Sequence, residues 1–295
     1  MKNLHWVYIA LLFIILSCDE SSTIEVQDLF ATQQYNQIEG VDNNLLSLDI
    51  YYNSLIEEKK PVIIYVHGGA WSIGDKANKI ENKANLFQSA NEVFVSVNYR
   101  LSPFPLEPDN LDRIKYPTHN NDLADAIKWV VDNISEYGGD PSSIALLGHS
   151  AGAHLVALTG TNPTFLEGVG LSLSNIKGVA TIDTEGYDVV AQIAESNDFY
   201  LNAFGTDAND NRDASPLFNI QSGTAYPSFF IAKRGTLERI AIADSFAEAL
   251  QDAGVSVTVL NGNAYTHEEI NDAIGKPLEK VITPSLRSFF TEVLY

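Results

Sequence analysis

Residues 143–152 have the sequence SIALLGHSAG, which is the segment most informative about the fold. Its first six residues are mostly apolar and are typical of a buried strand, while the residues from 151 to about 159 favour a helix. The pentapeptide GHSAG at 148–152 matches G-x-S-x-G, a sharp strand-to-helix turn that presents a serine hydroxyl. Glycines on both sides let strand and helix approach without Cβ clashes. Ser150 is therefore predicted to be a nucleophile.

On both sides of this stretch, apolar runs alternate with segments of helical periodicity. Alternation of this kind predicts right-handed crossovers and an α/β fold with a mainly parallel central sheet flanked by helices. In such sheets the catalytic and binding residues lie at the carboxyl ends of the strands. The predicted strands are 35–40, 45–52, 61–67, 92–99, 143–148, 176–182, 227–232 and 255–261, and the predicted helices are 77–90, 121–136, 151–159, 239–253 and 284–294.

A second glycine-containing turn follows the predicted strand 61–67 and reads HGGAW at 67–71. Bare backbone at Gly68 and Gly69 can turn an N–H inward, where it would stabilise a developing oxyanion. The N–H of Ala151, directly after the serine, supplies a second donor. We expect Gly69 and Ala151 to be the main donors, with Gly68 or Ala70 as additional ones.

The general base is chosen from six histidines. His267 is the one that follows the last predicted strand, and the chain order for this arrangement is serine, acid, histidine. His267 is therefore predicted to be the base. The others lie near the N-terminus, in the HGGAW turn, before a helix, beside the serine but pointing away from it, and on the following helix: His5, His67, His119, His149 and His154.

Two carboxylates are candidates for the acid that orients this base. Glu238 lies in the loop after strand 227–232, at the carboxyl edge of the predicted sheet, but Arg234 and Arg239 flank it and could pair with it. Asp183 directly follows strand 176–182. Either carboxylate could stabilise an imidazolium. The two nearby arginines favour Asp183 slightly.

Four segments together resemble one family of enzymes: HGGAW, NYRLSP at 98–103, YGGDP at 137–141 and GHSAGAHL at 148–155. They resemble the carboxylesterase branch that includes hormone-sensitive-lipase-like esterases, bacterial feruloyl and acetyl esterases, and kynurenine formamidases. The resemblance extends from Tyr35 to the C-terminus. It implies the α/β-hydrolase fold and hydrolysis of carboxylic esters through an acyl-enzyme.

The expected substrate is a small-molecule or polysaccharide-linked ester. The segment 188–220 is short for a lid, and its stretch DANDNRD at 207–213 is polar, which indicates an open site suited to acyl decorations of extracellular polysaccharide. Two alternatives stay open, an arylformamidase-like amide hydrolase and a non-catalytic binding protein on the same scaffold. No cofactor or metal is expected, since His, Cys and Asp residues show no ligand spacing.

The N-terminal residues predict export. Lys2 precedes the apolar run Trp6–Leu16, which is too short to span a bilayer but suits a secretory signal. The ending ILSC resembles a bacterial lipobox, in which Cys18 would be lipidated; it is the single cysteine, so no intrachain disulfide can form. We expect a signal peptide at 1–18, a tether at 19–34 and a hydrolase domain at 35–295, anchored by lipid at the bacterial cell envelope.

The formal net charge of −20 restricts the partners further. A surface with this charge repels phosphate backbones and anionic headgroups. Nucleic acid is therefore excluded as a partner, and contact with a membrane is expected only through the lipid.

Overall fold

The computed structural model describes residues 27–54, 59–103, 110 and 112–295. These ranges form one sheet of eight strands: β1 (Asp28–Gln34), β2 (Ser47–Asn53), β3 (Lys60–Val66), β4 (Val93–Val97), β5 (Gly139–His149), β6 (Ile176–Ile182), β7 (Ser228–Lys233) and β8 (Val257–Asn261). The strand order is β1-β2-β4-β3-β5-β6-β7-β8. β2 is antiparallel to β1 and β4, and the other neighbours are parallel. The predicted mainly parallel sheet is confirmed.

Helices cover both faces of the sheet. They are α1 (Glu81–Ser89), α2 (Thr118–Asn133), α3 (Ala151–Thr161), α4 (Thr164–Gly168), α5 (Val189–Ala194), α6 (Asp198–Phe204), α7 (Ala208–Asp213), α8 (Leu237–Asp252), α9 (His267–Asp272) and α10 (Ile282–Leu294). Apolar side chains of α2, α3 and α8 pack in one layer, and those of α1, α9 and α10 in the other. Within the described ranges, no helix is both long and apolar enough to cross a membrane.

The central strands are apolar on both faces because both faces are covered. In β3, Val62, Ile64 and Val66 pack in the first layer, whereas Ile63 and Tyr65 pack in the second. Successive side chains of a strand point to opposite faces, so a strand between two helical layers reads as a continuous apolar run. This pattern explains why the predicted central strands agree with the observed ones to within a few residues.

The first strand differs from the prediction. Residues 35–40 are not a strand, and β1 instead occupies Asp28–Gln34, inside the predicted tether. β1 is an edge strand with alternating exposed and half-buried positions, held by pairing with β2 and by the hydrogen bond from the Thr32 hydroxyl to Asp49 (2.7 Å). The domain therefore includes residues from 28 onward. The predicted signal at 1–18, and residues 19–26 of the tether, lie outside the described residues.

α1 also begins later than predicted, at Glu81 rather than at residue 77. The carboxylate of Asp75 accepts from the N–H of Ala77 (2.8 Å), which forms a turn. Lys79 then adopts a left-handed backbone with φ of +51°. A non-glycine residue with this φ does not continue a right-handed helix. The helix therefore starts only after this residue.

Candidate active site

Ser150 is the single residue between β5 and α3, and its backbone is strained, with φ of +55° and ψ of −118°. Its N–H donates to the carbonyl of Ile182 at the end of β6 (3.0 Å). Glycine is required at both motif positions because other backbone atoms lie too close to leave room for a Cβ. A Cβ on Gly148 would lie 2.3 Å from the carbonyl oxygen of Gly152, and one on Gly152 would lie 2.1 Å from that of Val66. The predicted strand-to-helix turn is thus present.

His267 lies between the serine and a carboxylate. Its Nε2 is 2.9 Å from Ser150 Oγ, and its Nδ1 is 2.6 Å from Asp183 Oδ2. A carboxylate beside Nδ1 fixes the proton on that nitrogen, which leaves Nε2 free to accept the serine proton. His267 is the first residue of α9, whose start is fixed by a capping box between Thr266 and Glu269.

Asp183 is the residue after β6, and its side chain is 1% exposed. Its N–H donates to the carbonyl of Ala232 in β7 (2.9 Å), which holds the residue at φ of +51°. Burial alone would raise the pKa of Asp183, but hydrogen bonds from His267, Arg234 and Arg239 outweigh burial and lower it to about 2. The carboxylate is therefore ionised throughout the neutral range, as an orienting acid requires.

Glu238, the other candidate acid, is placed elsewhere. It is exposed on the first turn of α8, where hydrogen bonds from its own N–H and from Thr236 hold its pKa below the usual range. The expectation that Arg234 and Arg239 would pair with Glu238 is wrong, because both guanidinium groups bind Asp183. The structure thus contradicts Glu238 as the acid and places Asp183 against the histidine.

The four predicted oxyanion residues do not lie together. Gly69, Ala70 and Ala151 line the same cavity as Ser150, whereas Gly68 lines a neighbouring cavity. Gly68 instead packs against the turn, since a Cβ on it would lie 3.0 Å from Ser150 Cβ. The loop is held open by positive φ values at Gly69 (113°) and Ala70 (51°). Gly69, Ala70 and Ala151 therefore line the cavity of Ser150, and their role as oxyanion donors stays a prediction.

His149 has a supporting contact that the sequence did not suggest. It points away from the serine, as predicted, but its Nε2 donates to the backbone carbonyl of His267 (2.9 Å), and the two rings lie 4.7 Å apart. Burial and the neighbouring His267 lower the pKa of His149 to about 3, so it is neutral at working pH. His149 thus helps to hold the backbone of the predicted base.

The cavity beside Ser150 has a volume of about 490 Å³. One wall is apolar and includes two partly exposed side chains at the opening, Ile73 (66%) and Phe199 (50%). A second set of lining side chains, here called the polar wall, is polar or charged. The apolar wall consists of Ala70, Trp71, Ile73, Phe199 and Tyr200, and the polar wall of Thr184, Glu185, Arg234, Thr236, Arg239 and Glu268. In the described part of the chain, no cluster of His, Cys, Asp or Glu has a metal-binding arrangement.

The sheet order and the hydrogen-bonded serine, histidine and aspartate define the class of protein, an α/β-hydrolase of the serine carboxylesterase type. The BD-FAE family model matches residues 48–218, more than half of the chain. The chain belongs to the BD-FAE family.

A sequence relative agrees with this class, and solved structures share the fold. Carboxylesterase NlhH of Mycobacterium tuberculosis is 29% identical over 243 residues, which cover 77% of this chain and 72% of that protein. The butyrate-bound Est2 esterase of Thermogutta terrifontis shares the fold with a TM-score of 0.70 and 21% identity, over 89% of this chain and 94% of that one. A truncated carbohydrate esterase from gut microbiota has a TM-score of 0.69 and 19% identity, over 89% and 95%.

Proposed function

We propose that the chain hydrolyses carboxylic esters through an acyl-enzyme formed on Ser150, with His267 as the base and Asp183 as its orienting acid. The observation that carries this proposal is the continuous series of hydrogen bonds from Ser150 Oγ through the His267 ring to Asp183. Each member comes from a different loop at the carboxyl edge of the sheet, so their convergence is not a by-product of local chain geometry.

The chemistry follows from the protonation states. His267 Nε2 accepts the proton of Ser150 Oγ as that oxygen attacks the acyl carbon, and Asp183 stabilises the imidazolium. The negative oxygen of the tetrahedral intermediate accepts hydrogen bonds from the N–H groups of Gly69, Ala70 and Ala151. His267 then protonates the leaving alcohol and the C–O bond breaks, which leaves the acyl group on Ser150. Water repeats the cycle, releases the acid and restores the serine.

The cavity supports acyl decorations of extracellular polysaccharide as the substrate. Its apolar wall can hold a small acyl group, while the hydroxyls of Thr184 and Thr236 and the carboxylate of Glu268 in the polar wall can hydrogen-bond a sugar that serves as the leaving alcohol. The net charge of −20 disfavours strongly acidic ligands. The motifs resembling bacterial feruloyl and acetyl esterases favour acetyl or feruloyl as the acyl group.

We also propose that the enzyme is exported and held at the bacterial cell envelope by a lipid on Cys18. The support for this is in the sequence: the apolar run Trp6–Leu16 and the ending ILSC, with the single cysteine at the position that a lipobox requires. An enzyme that removes acyl groups from external polymers has to work outside the cytoplasm, so location and substrate agree.

Replacement of Ser150 tests the chemistry. In Ser150→Ala, kcat with a p-nitrophenyl ester should fall by about 10⁶-fold, because the nucleophile is absent. A fluorophosphonate probe should label the wild type and not this variant. Ser174→Ala, which changes an exposed serine that does not line the cavity, should behave as wild type. Full activity or labelling of Ser150→Ala would refute the proposal.

A panel of substrates tests the substrate class. Acetylated xylan and methyl ferulate are compared with p-nitrophenyl acetate and with an N-formyl arylamine, using kcat/KM for the soluble substrates and released acid for the polymer. We expect turnover of at least one acylated carbohydrate or ferulate ester. Faster turnover of the formamide would identify an arylformamidase instead. Turnover of the simple aryl ester alone would refute the carbohydrate proposal while leaving the ester chemistry intact.

A further inference from the structure

Two cations bind the Asp183 carboxylate, Arg234 from the loop between β7 and α8 and Arg239 from the first turn of α8. Nη1 of Arg234 is 2.6 Å from Asp183 Oδ2, and Nη2 of Arg239 is 2.7 Å from Asp183 Oδ1. With His267 Nδ1 also on Oδ2, both carboxylate oxygens are occupied by charged or polarised donors. Hydrogen bonds between ionised partners are shorter and stronger than neutral ones, and two directions of pull fix the plane of a carboxylate.

Arg234 connects the acid to the loop of the histidine. Its Nε donates to the backbone carbonyl of Tyr265 (3.0 Å), two residues before His267. One rigid guanidinium therefore contacts the aspartate side chain and the chain segment that leads into the catalytic helix α9. The planar guanidinium of arginine keeps these two groups at a fixed distance from each other, whereas the flexible side chain of a lysine would not.

Arg239 completes the arrangement from the other side. Besides Asp183 Oδ1 it forms an ion pair with Glu185, which lines the polar wall. Its side chain runs across Gly235, where a Cβ would lie 2.9 Å from both Cδ and Nε of Arg239. Gly235 also has a φ of +103°, so a side chain is excluded there for two reasons. The backbone conformation at Gly235 therefore leaves room for the Arg239 side chain to reach Asp183.

We propose that Arg234 and Arg239 are positioning residues for catalysis, which hold Asp183 in the one orientation that aligns the His267 ring with Ser150. This inference rests on the proposed function of these three residues. The carboxylate is buried and lies at the end of a strand in a left-handed conformation, and His267, Arg234 and Arg239 bind both of its oxygens, so these hydrogen bonds orient its plane. Loss of Arg239 leaves Oδ1 without its guanidinium partner, and loss of Arg234 leaves Oδ2 with His267 alone. Either loss lets the carboxylate rotate and the ring of His267 tilt.

The experiment compares four variants with wild type: Arg234→Gln, Arg239→Gln, Arg234→Lys and Lys233→Gln. Lys233 is the matched control, since its side chain is 19% exposed like that of Arg234, yet it pairs with Asp244 rather than with Asp183. Fluorophosphonate titration gives the concentration of competent Ser150 in each preparation, and kcat and KM are calculated per labelled site. Wild type that is not labelled at Ser150 would contradict the proposed function itself, not this inference.

For both glutamine variants we expect kcat to fall about 10- to 100-fold with KM within about twofold of wild type, the size typical of lost orienting contacts and below the roughly 10⁴-fold cost of losing the acid. Lys233→Gln should retain the wild-type kcat. Added guanidinium ion should restore part of the kcat of Arg234→Gln and should not raise that of Lys233→Gln.

Three results would overturn the inference. The first is a kcat for both arginine variants equal to that of the control. The second is a rise in KM at constant kcat, which would make the arginines substrate-binding groups. The third is a wild-type kcat for Arg234→Lys, which decides the matter even if the glutamine variants do not fold. This variant keeps the positive charge but loses the planar guanidinium, so full activity would show that charge without fixed geometry is sufficient.

Discussion

At the scale of single residues, four of the eight described non-glycine residues with a positive φ lie at the candidate site. Ala70, Trp71, Ser150 and Asp183 all have positive φ values, between 51° and 56°. Such conformations each cost about 1–3 kcal/mol in non-glycine residues and persist only where the surroundings enforce them. Here the sheet provides that enforcement, because the N–H of Ser150 donates to β6 and the N–H of Asp183 donates to β7. In these conformations the side chains of Ser150 and Asp183 extend from the ends of their strands and contact His267.

Paired substitutions should separate the two carboxylates. Asp183→Asn preserves the shape of the side chain but removes the charge that favours the Nδ1–H tautomer, so kcat should fall by roughly 10⁴-fold. Glu238→Gln removes an exposed carboxylate and should leave kcat unchanged. Both are measured with the same p-nitrophenyl ester after active-site titration. Equal kcat values for the two variants, or a larger loss in Glu238→Gln, would contradict the assignment.

The acid shows what a sequence can and cannot predict at this scale. The serine and the histidine were predicted correctly in position because one has a motif and the other a place in the chain order. The acid was ambiguous because β6 and β7 are parallel neighbours, so the residues after them emerge at the same edge. Arg234 and Arg239 were assigned to the carboxylate nearest in sequence, whereas their partner lies 51 and 56 residues away.

At the scale of elements, the periodicity of apolar residues predicted the strands that are buried on both faces and missed β1, one of the two edge strands. β1 has the sequence DLFATQQ, and its burial alternates between exposed and half-buried. A strand at the edge of a sheet needs little apolar surface, since the hydrogen bonds to its neighbour hold it. A polar strand of this kind therefore resembles a tether in sequence, and only the pairing with β2 distinguishes the two.

The passage from β5 to α3 depends on the absence of a side chain at Gly152. In Gly152→Ala the new Cβ would lie 2.1 Å from the Val66 carbonyl oxygen, so β3 and α3 must separate. We expect a loss of about 1–3 kcal/mol of unfolding free energy, or more, together with most of the activity, since Ser150 would be displaced. Urea denaturation and kcat measure the two effects.

Gly168→Ala is the matched control for this substitution. Gly168 ends α4, its Cβ would meet nothing within 4 Å, and its φ is not in the positive range. Alanine should therefore be neutral there, or stabilise by about 0.4–1 kcal/mol through the unfolded chain. A Gly152→Ala variant as stable and active as Gly168→Ala would show that the strand and the helix do not need their observed separation.

At the scale of the whole molecule, the net charge and the pairing of the arginines at the site bear on how the protein could be attached to a membrane. With 38 acidic and 18 basic residues, the chain is repelled by anionic membranes, so the domain would not bind such a surface by itself. The cationic groups of the polar wall are already paired, Arg234 with Asp183 and Arg239 with Asp183 and Glu185. These observations are consistent with the proposal that attachment to the envelope comes from a lipid on Cys18.

Cys18→Ala tests that attachment. A lipid chain contributes about 0.8 kcal/mol of membrane binding for each buried methylene, and stable anchoring needs more than one chain, as a diacylglyceryl group provides. Since Cys18 is the single cysteine, its replacement should move the protein from the membrane fraction of a bacterial host to the soluble fraction, or leave it unprocessed. Ser17→Ala is the control and should remain with the membranes, because the thiol is intact. Wild type found in the soluble fraction together with Cys18→Ala would show that residue 18 belongs to an ordinary cleaved signal.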